Sequence, residues 1–329
     1  MQNAMETMKA EGKQSIHGLV PQCPRCRGTL EPNVSSEAPA LVCSECHFPM
    51  TLRNGIWLAL PVERATYFSR FITDYSSIRA AEGRGSLTAG YYLELPYKDH
   101  SGKNRAQWKI RSRTYSFLQK HIFPELKPAE NERVSILDIG AGNGWLCYRL
   151  TQMGFHATAV DLLINEQDGL GAAKHYQGHL QELFLRFQAE SAKLPFAKEQ
   201  FHAVIFNASF HYAESYKACL GEALRCLKRG GMIIVADSPW YSRQNSGERM
   251  LAERRASFLN RFGTLSNSIP SLEFLTDERL DDLEQAFGIQ WERHAPFYGV
   301  RWTLRPIIAR LRRRREPAVF RIYTARKTA

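Results

Sequence analysis

An acid and three alternating glycines mark the segment SILDIGAGNGW, which covers residues 135–145. Asp138 closes a strand-like apolar run, and Gly140, Gly142 and Gly144 follow it at every second position. Glycine lets the backbone approach a ligand closely, and a strand-to-helix turn presents free helix N–H groups to that ligand. The segment therefore predicts a nucleotide-binding turn in a doubly wound α/β sheet.

Four cysteines near the N-terminus could bind a metal. They form two C-x2-C pairs, Cys23 with Cys26 and Cys43 with Cys46, separated by sixteen residues. Each pair can bind one side of a tetrahedral ion, and the gap is long enough for a β-hairpin that joins the pairs. Four thiolates leave no open coordination position, so the pattern predicts structural Zn²⁺ rather than a catalytic metal. Two redox or incidental pairs are the alternative.

The hydrophobic pattern around these residues predicts the elements that position them. The run VSILDIG indicates a buried strand, and the apolar residues after Gly144 follow a helical period up to Gly154, where a left-handed helix cap is expected. Seven strands are predicted, near residues 134–139, 155–160, 184–188, 203–207, 231–236, 289–294 and 318–325. Strands that alternate with helical segments are typical of a doubly wound sheet.

The order D-x-G-x-G-x-G resembles the first motif of class I S-adenosylmethionine (SAM) methyltransferases. Position 145 is Trp, so the third glycine of the dinucleotide-binding fingerprint is missing. Further segments of the same family follow in order, among them AESAKLPFAKEQFHAVIFNASFHY and LKRGGMIIVADS. The resemblance covers roughly residues 130–329. It implies a Rossmann-like sheet of seven strands, with the last strand antiparallel.

The same resemblance implies a set of SAM-binding residues. Asp161, at the end of the second strand, would accept hydrogen bonds from both ribose hydroxyls. Glu190 falls near the adenine amino group, with Ser191 beside it, although the family more often has Asp at that position. The full predicted set is Asp138, Gly140, Gly142, Gly144, Asp161, Glu190, Ser191 and Asn207.

Methyl transfer from a sulfonium is an in-line displacement, so much of the acceleration can come from holding nucleophile and methyl in line and dry. The segment NASFHY places His211 and Tyr212 where members of the family face the transferred methyl. His211 is the candidate general base and Tyr212 its neighbour. The alternative is that both residues only line the pocket. NASFHY resembles the quinone-biosynthesis type of small-molecule methyltransferase (methyltransferase type 11).

The C-terminal segment carries most of the positive charge. Residues 301–329 contain ten Lys/Arg and one Glu, which is +9 of the net +11. Leu304, Ile307, Ile308 and Leu311 recur at helical spacing among arginines, so a basic amphipathic insert is predicted at about 303–316. The resemblance to the methyltransferase family implies that this insert, between the sixth and seventh strands, rises beside the active site. Such a helix suits an anionic membrane, contacted through 303–315, or phosphate groups, and a solvated basic face is the alternative.

The pattern predicts four parts of the chain: a disordered tail over 1–18, a zinc ribbon over 19–61, a linker with N-terminal covering helices over 62–129, and a methyltransferase domain over 130–329. Tyr91, Tyr92 and Trp108 are candidate pocket-lid residues, with ordinary packing as the alternative. No apolar run approaches the roughly 18 residues of a membrane span. The cysteine pattern and the lack of a secretory signal predict a reducing, cytoplasmic setting.

These observations predict a SAM-dependent methyltransferase that acts on a small-molecule or lipid-like acceptor. An rRNA or tRNA methyltransferase that uses the zinc ribbon and the Arg cluster is one alternative, because zinc-containing ribosomal-RNA methyltransferases have a similar architecture. A SAM-binding scaffold without turnover is the other. The implied cofactors are SAM and structural Zn²⁺.

Overall fold

The computed structural model describes residues 15–33, 39–127 and 132–328. Most of the predicted tail, residues 1–14, lies outside the described residues. Its last part is ordered, since Ile16 and Leu19 exchange backbone hydrogen bonds of 2.8 and 3.0 Å and both side chains are buried.

The strands are β1 Leu30–Pro32, β2 Ala40–Cys43, β3 Pro49–Arg53, β4 Ile56–Leu58, β5 Ser135–Ile139, β6 His156–Asp161, β7 Leu185–Gln188, β8 Phe201–Asn207, β9 Leu227–Ala236, β10 Glu292–His294 and β11 Ile322–Arg326. The α-helices are α1 Val62–Ala81, α2 Ala89–Leu93, α3 Arg105–Phe117, α4 Trp145–Gln152, α5 Tyr216–Cys226, α6 Gln244–Phe262, α7 Asp277–Phe287, α8 Val300–Thr303 and α9 Arg305–Leu311.

In the described part of the chain these strands form one sheet, in the order β1-β2-β3-β4-β7-β6-β5-β8-β9-β11-β10. Strands β4 to β9 pair in parallel across the centre, and β11 runs antiparallel between β9 and β10. All seven predicted strands are present. The predicted doubly wound, Rossmann-like fold with an antiparallel last strand is therefore confirmed.

The central strands are buried on both faces, as strands of a parallel sheet covered by helices must be. Successive residues of β5 point to opposite faces, so Ile136 joins one apolar cluster and Leu137 the other. In β8, Val204 and Ile205 divide in the same way. The two clusters hold the carboxyl ends of these strands in fixed positions.

The cysteine-bearing strands are continuous with the central sheet. Strands β1 to β4 form an antiparallel meander, and β4 pairs in parallel with β7 through Trp57 opposite Phe187 and Leu58 opposite Gln188. Helix α1 begins soon afterwards, at Val62. The sequence pattern did not predict this pairing, which connects the cysteine module directly to the edge of the sheet and to α1.

The predicted basic insert differs from a single helix over 303–316. It forms α8 and α9, and α9 ends at Leu311 because the backbone turns into the left-handed region at Arg313, with φ 51°. The run Arg312–Arg315 therefore follows the helix and does not lie on its face. Among the described residues, no helix has the length and apolar character needed to cross a membrane.

Candidate cofactor and acceptor site

A cavity of about 360 Å³, here called the first cavity, opens at the carboxyl ends of β5, β6 and β8 and lies against α1. Doubly wound sheets bind their ligands at this edge. Its walls include the predicted residues Asp138, Gly140, Gly142, Asp161, Glu190, Ser191, Asn207 and Tyr212. Of the predicted SAM-binding set, only Gly144 is not part of these walls.

The glycines of the turn serve two different purposes. Gly140 has φ +75°, and a Cβ there would lie 2.3 Å from Cβ of Ser209. A Cβ at Gly144 would lie 2.7 Å from the ring of Phe184 instead. Gly144 therefore permits packing behind the turn, whereas Gly140 and Gly142 border the first cavity.

The carboxylate of Asp161 fixes the conformation of the turn. Its Oδ2 accepts the N–H of Gly142 at 2.7 Å, and its Oδ1 accepts the N–H of Leu163 at 2.8 Å. Burial raises the pKa of Asp161 to about 6. Each oxygen keeps a lone pair, so the carboxylate can also accept the two ribose hydroxyls that the sequence motif implies.

Asp138 has an unsatisfied carboxylate oxygen. Its Oδ1 is buried without a hydrogen-bond partner among the described residues, and its Oδ2 lies 3.7 Å from Sγ of Cys147. Burial, followed by the charge of Asp161, raises the pKa of Asp138 to about 7. An unpaired carboxylate in a buried wall is costly until a cationic group meets it. SAM carries an ammonium and a sulfonium, so the residues present fit this cofactor.

Glu190 is already engaged by a helix that covers the first cavity. Arg64 of α1 donates to its two carboxylate oxygens at 2.9 and 2.7 Å. This bidentate pair holds α1 over the site. The adenine contact of Glu190 stays a prediction, and the carboxylate would have to serve both partners.

Sequence reasoning missed the contribution of α1 to the site. The helix places side chains on the first cavity at intervals of three or four positions: Arg64, Phe68, Phe71, Tyr75 and Arg79. Their helical period was visible in the sequence and could have identified this face. Arg79 also forms an ion pair with Asp168, which lines the same cavity.

A second cavity, of about 210 Å³, adjoins the first. The two share the wall residues Phe71, Tyr75, Arg79, Arg111, Ala208 and Tyr212. His211 lines only the second cavity, and its Nδ1 lies 3.3 Å from Oγ of Ser238. Burial lowers the pKa of His211 to about 4, so the ring is neutral near pH 7.

The three candidate lid residues line neither cavity. Tyr91, Tyr92 and Trp108 lie in the apolar cluster on one face of the sheet. The hydroxyl of Tyr92 accepts the N–H of Ser86 at 2.8 Å and lies 2.7 Å from the carbonyl oxygen of Gln167. These aromatic residues therefore have the packing role that the sequence left as the alternative.

The four N-terminal cysteines meet at one point. Their Sγ atoms all lie within 4.8 Å of one another, with Cys23 3.5 Å from Cys46 and Cys26 3.4 Å from Cys43. Sulfurs around tetrahedral zinc, at about 2.3 Å from the ion, are about 3.8 Å apart. The cluster therefore fits a structural Zn²⁺ site.

Comparison with known proteins supports the methyltransferase fold. Residues 137–235 match the family described as "Methyltransferase domain". The chain is 27% identical over 115 residues to the ubiquinone/menaquinone biosynthesis C-methyltransferase UbiE of Rhizobium rhizogenes. It is 28% identical over 115 residues to the protein of the same name from Rhizobium leguminosarum bv. trifolii. Each match covers 34% of this chain and 44% of the relative, so less than half of the relatives' length is spanned.

Among solved structures, the fold is similar to that of a SAM-dependent methyltransferase from Archaeoglobus fulgidus. The TM-score is 0.43 at 14% identity, over 69% of this chain and 98% of that one.

Proposed function

We propose that this protein, whose residues 137–235 carry a class I SAM-dependent methyltransferase domain, transfers a methyl group from SAM to a small-molecule or lipid-like acceptor. The observation that carries the proposal is the pair of adjoining cavities. One presents the carboxylates that fit a cationic nucleoside, and the other presents His211 across a shared wall.

The residues of the first cavity hold the donor. SAM supplies a methyl group that is already activated by its positive sulfur. Asp161 orients the ribose, and Asp138 meets the cationic amino group. Helix α1, fixed by the pair between Arg64 and Glu190, covers the cavity and excludes water, so that the displacement occurs in line and in a dry site.

The second cavity holds the acceptor. A pKa of about 4 makes His211 a weak base, but its neutral ring can accept a hydrogen bond from an acceptor hydroxyl. It can also take a proton that becomes strongly acidic once the methyl group is attached, as on a carbon acceptor. Tyr212 lines both cavities, at the boundary where the methyl group and the acceptor would meet.

The size and lining of the second cavity favour a small acceptor. Its volume of about 210 Å³ and apolar residues such as Ile78, Ile110 and Phe258 suit a ring-sized molecule or the head of a lipid. The named relatives are C-methyltransferases of quinone biosynthesis, which favours a carbon acceptor. RNA methylation and a non-catalytic scaffold remain the alternatives. The predicted cytoplasmic setting also stays a prediction.

Methyl-labelled SAM and a whole-cell extract, separated into RNA, protein, lipid and small-molecule fractions, test the proposal. We expect label in the small-molecule or lipid fraction. With Asp161→Ala this labelling should disappear, because SAM affinity falls by about 10- to 100-fold when two charge-assisted hydrogen bonds are lost. Label in RNA would contradict the acceptor class. No label in any fraction, with SAM still bound, would favour the scaffold.

A second proposal concerns the surface of α9. Leu304, Ile307, Ile308 and Leu311 share one face and are all exposed, Leu311 by 79%. Arginines 312–314 are exposed just beyond the helix end. Apolar side chains beside arginines suit the interface of an anionic membrane, where a lipid-like acceptor would be found. We propose that residues 303–315 contact such a membrane peripherally.

Vesicle sedimentation checks this contact. The protein should bind vesicles with about 30% phosphatidylserine, and Ile307→Ser with Leu311→Ser should weaken binding by about tenfold or more, because two buried apolar side chains are lost. Vesicles of phosphatidylcholine alone are the control. Equal sedimentation with both kinds of vesicle, or binding of the double variant unchanged, would contradict the proposal. Salt-sensitive binding to RNA instead would assign the arginines to phosphate recognition.

A further inference from the structure

One wall of the second cavity brings arginines from two elements together. Gln107 and Arg111 lie one turn apart on α3, and both line the cavity. Arg84, in the segment after α1, donates to the side-chain oxygen of Gln107 through Nη2. The Arg84 side chain is only 6% exposed, so Gln107 holds it against this wall.

Most charged groups of the second cavity already have a partner. Arg254 pairs with Glu273 at 2.7 Å, and Arg84 Nε pairs with Glu82 at 3.0 Å. Asp237 accepts the hydroxyl of Thr114 at 2.6 Å through Oδ1. Arg79 pairs with Asp168 from the neighbouring cavity. Glu82 and Glu273 are therefore committed to arginines other than Arg111, whereas Oδ2 of Asp237 is buried without a hydrogen-bond partner among the described residues.

Arg111 differs from these arginines. Within the described residues, no carboxylate oxygen lies within 4.0 Å of its nitrogen atoms, and its Cζ lies 4.9 Å from the centre of the Trp108 ring. Nη1 of Arg84 is also buried without a hydrogen-bond partner among those residues. A guanidinium N–H group that lacks an acceptor in a cavity wall lowers the stability of the fold unless a ligand supplies the acceptor.

The charge on this wall persists at neutral pH. Burial, followed by the charges of Arg84 and Arg79, lowers the pKa of Arg111 to about 10 against the opposing charge of Asp237, which leaves the guanidinium protonated. Two guanidinium groups that repel one another are stabilised together by a shared anion. A planar or tetrahedral oxyanion can accept from both.

We propose that the methyl acceptor carries an oxyanion, a carboxylate or phosphate, which binds Arg111 and the free Nη1 of Arg84 on this wall. This inference rests on the proposed function, since it names the chemistry of the molecule that the second cavity receives. The anion fixes one end of the acceptor beside Arg111, a residue of the wall shared with the first cavity, and so keeps the nucleophilic atom close to that wall. Arg111 is thus a specificity-determining residue.

Benzoate and benzamide, two probes of nearly equal shape that differ in charge, test the proposal by ligand-observed NMR titration of the whole protein; phenyl phosphate is the third probe. Benzoate or phenyl phosphate should bind at least about tenfold more tightly than benzamide, the effect of a charge-assisted hydrogen bond. In Arg111→Gln this preference should fall below about twofold. Arg105→Gln, an exposed change on the same helix, should keep it.

Carboxylate and phosphate are distinguished by the affinity that each probe loses in Arg111→Gln. The acceptor's anion belongs to the class whose probe loses more. Equal binding of benzoate and benzamide to the unchanged protein, or no binding of either anion up to about 10 mM, would overturn the inference. SAM binding and methyl transfer are measured separately. If methyl is transferred to uncharged acceptors and the probes show no preference for the anion, only this inference is refuted. Anion preference without transfer to any fraction refutes only the proposed function.

Discussion

Asp138→Asn is expected to weaken SAM binding strongly and, at the same time, to make the ligand-free protein more stable near pH 8. In the proposed function the carboxylate meets the cationic amino group of SAM, and an amide lacks the charge for that contact. Loss of a buried charge-assisted pair should weaken SAM binding by about 100-fold or more. The stability gain arises because Oδ1 of Asp138 is buried without a partner in the described structure.

The sign of the pH dependence follows from the raised pKa. Asp138 has an ordinary pKa of 3.8 when unfolded and about 7 when folded, so the folded state binds the proton more tightly. Its ionisation therefore costs nothing at a pH below the unfolded value. The loss of folding stability grows as the pH rises from 3.8 to about 7, and it is complete above the folded pKa. Removing the carboxyl should add about 2 kcal/mol to the free energy of unfolding near pH 8, with allowance for relaxation around the charge.

Thermal unfolding at about pH 4 and pH 8, with calorimetric titration of SAM, measures both effects. The melting temperature of Asp138→Asn should exceed that of the unchanged protein only at the higher pH. Asp282→Asn, an exposed change on α7, is the matched control and should alter neither quantity. SAM affinity within about threefold of the original would refute the role of Asp138.

Cys43→Ser is expected to release the metal and to loosen the cofactor site as well as the ribbon. Cys43 is fully buried, and the change replaces one of the four clustered sulfurs with a neutral hydroxyl, a poor zinc ligand. Structural zinc contributes on the order of 10 kcal/mol to the folding of small modules, so β1 to β4 should not stay folded without it. Because β4 pairs with β7 and leads into α1, SAM affinity should fall by about tenfold or more.

Elemental analysis should show about one zinc per chain in the unchanged protein and none in the variant. Limited proteolysis should cut the variant between residues 39 and 61. Cys226→Ala, a buried cysteine outside the cluster, is the control and should keep both the metal and protease resistance. A Cys43→Ser protein with full zinc content would contradict the four-cysteine site. Metal loss with unchanged SAM affinity would contradict the coupling to α1.

The parts of the site that depend on local sequence could be predicted. The alternation of Gly140 and Gly142 after an apolar strand indicated the turn, and the position of Asp161 at the end of the next strand placed its carboxylate beside it. The seven strands followed from their apolar runs. In each case, one short segment contains the whole signal.

The parts that depend on contacts between distant segments could not be predicted. The pairing of β4 with β7 joins residues about 130 positions apart and leaves no periodic signal in either strand. Arg64 and Glu190 are 126 positions apart, and nothing in either segment specifies the partner. The burial that makes His211 a weak base, and the lack of an ion pair within 4.0 Å for Arg111 among the described residues, are likewise properties of the assembled walls.

The pairing of β4 with β7 also decides where the sheet ends. Without it, β7 would expose a row of unpaired N–H and C=O groups next to the first cavity, and such an edge can recruit a strand from another chain. The ribbon moves this free edge outward to β1, a strand of three residues that ends in Pro32. A short strand with a terminal proline is a poor template for further pairing. The cysteine module thus covers β7 and leaves a poor pairing edge at the side of the sheet that borders the first cavity.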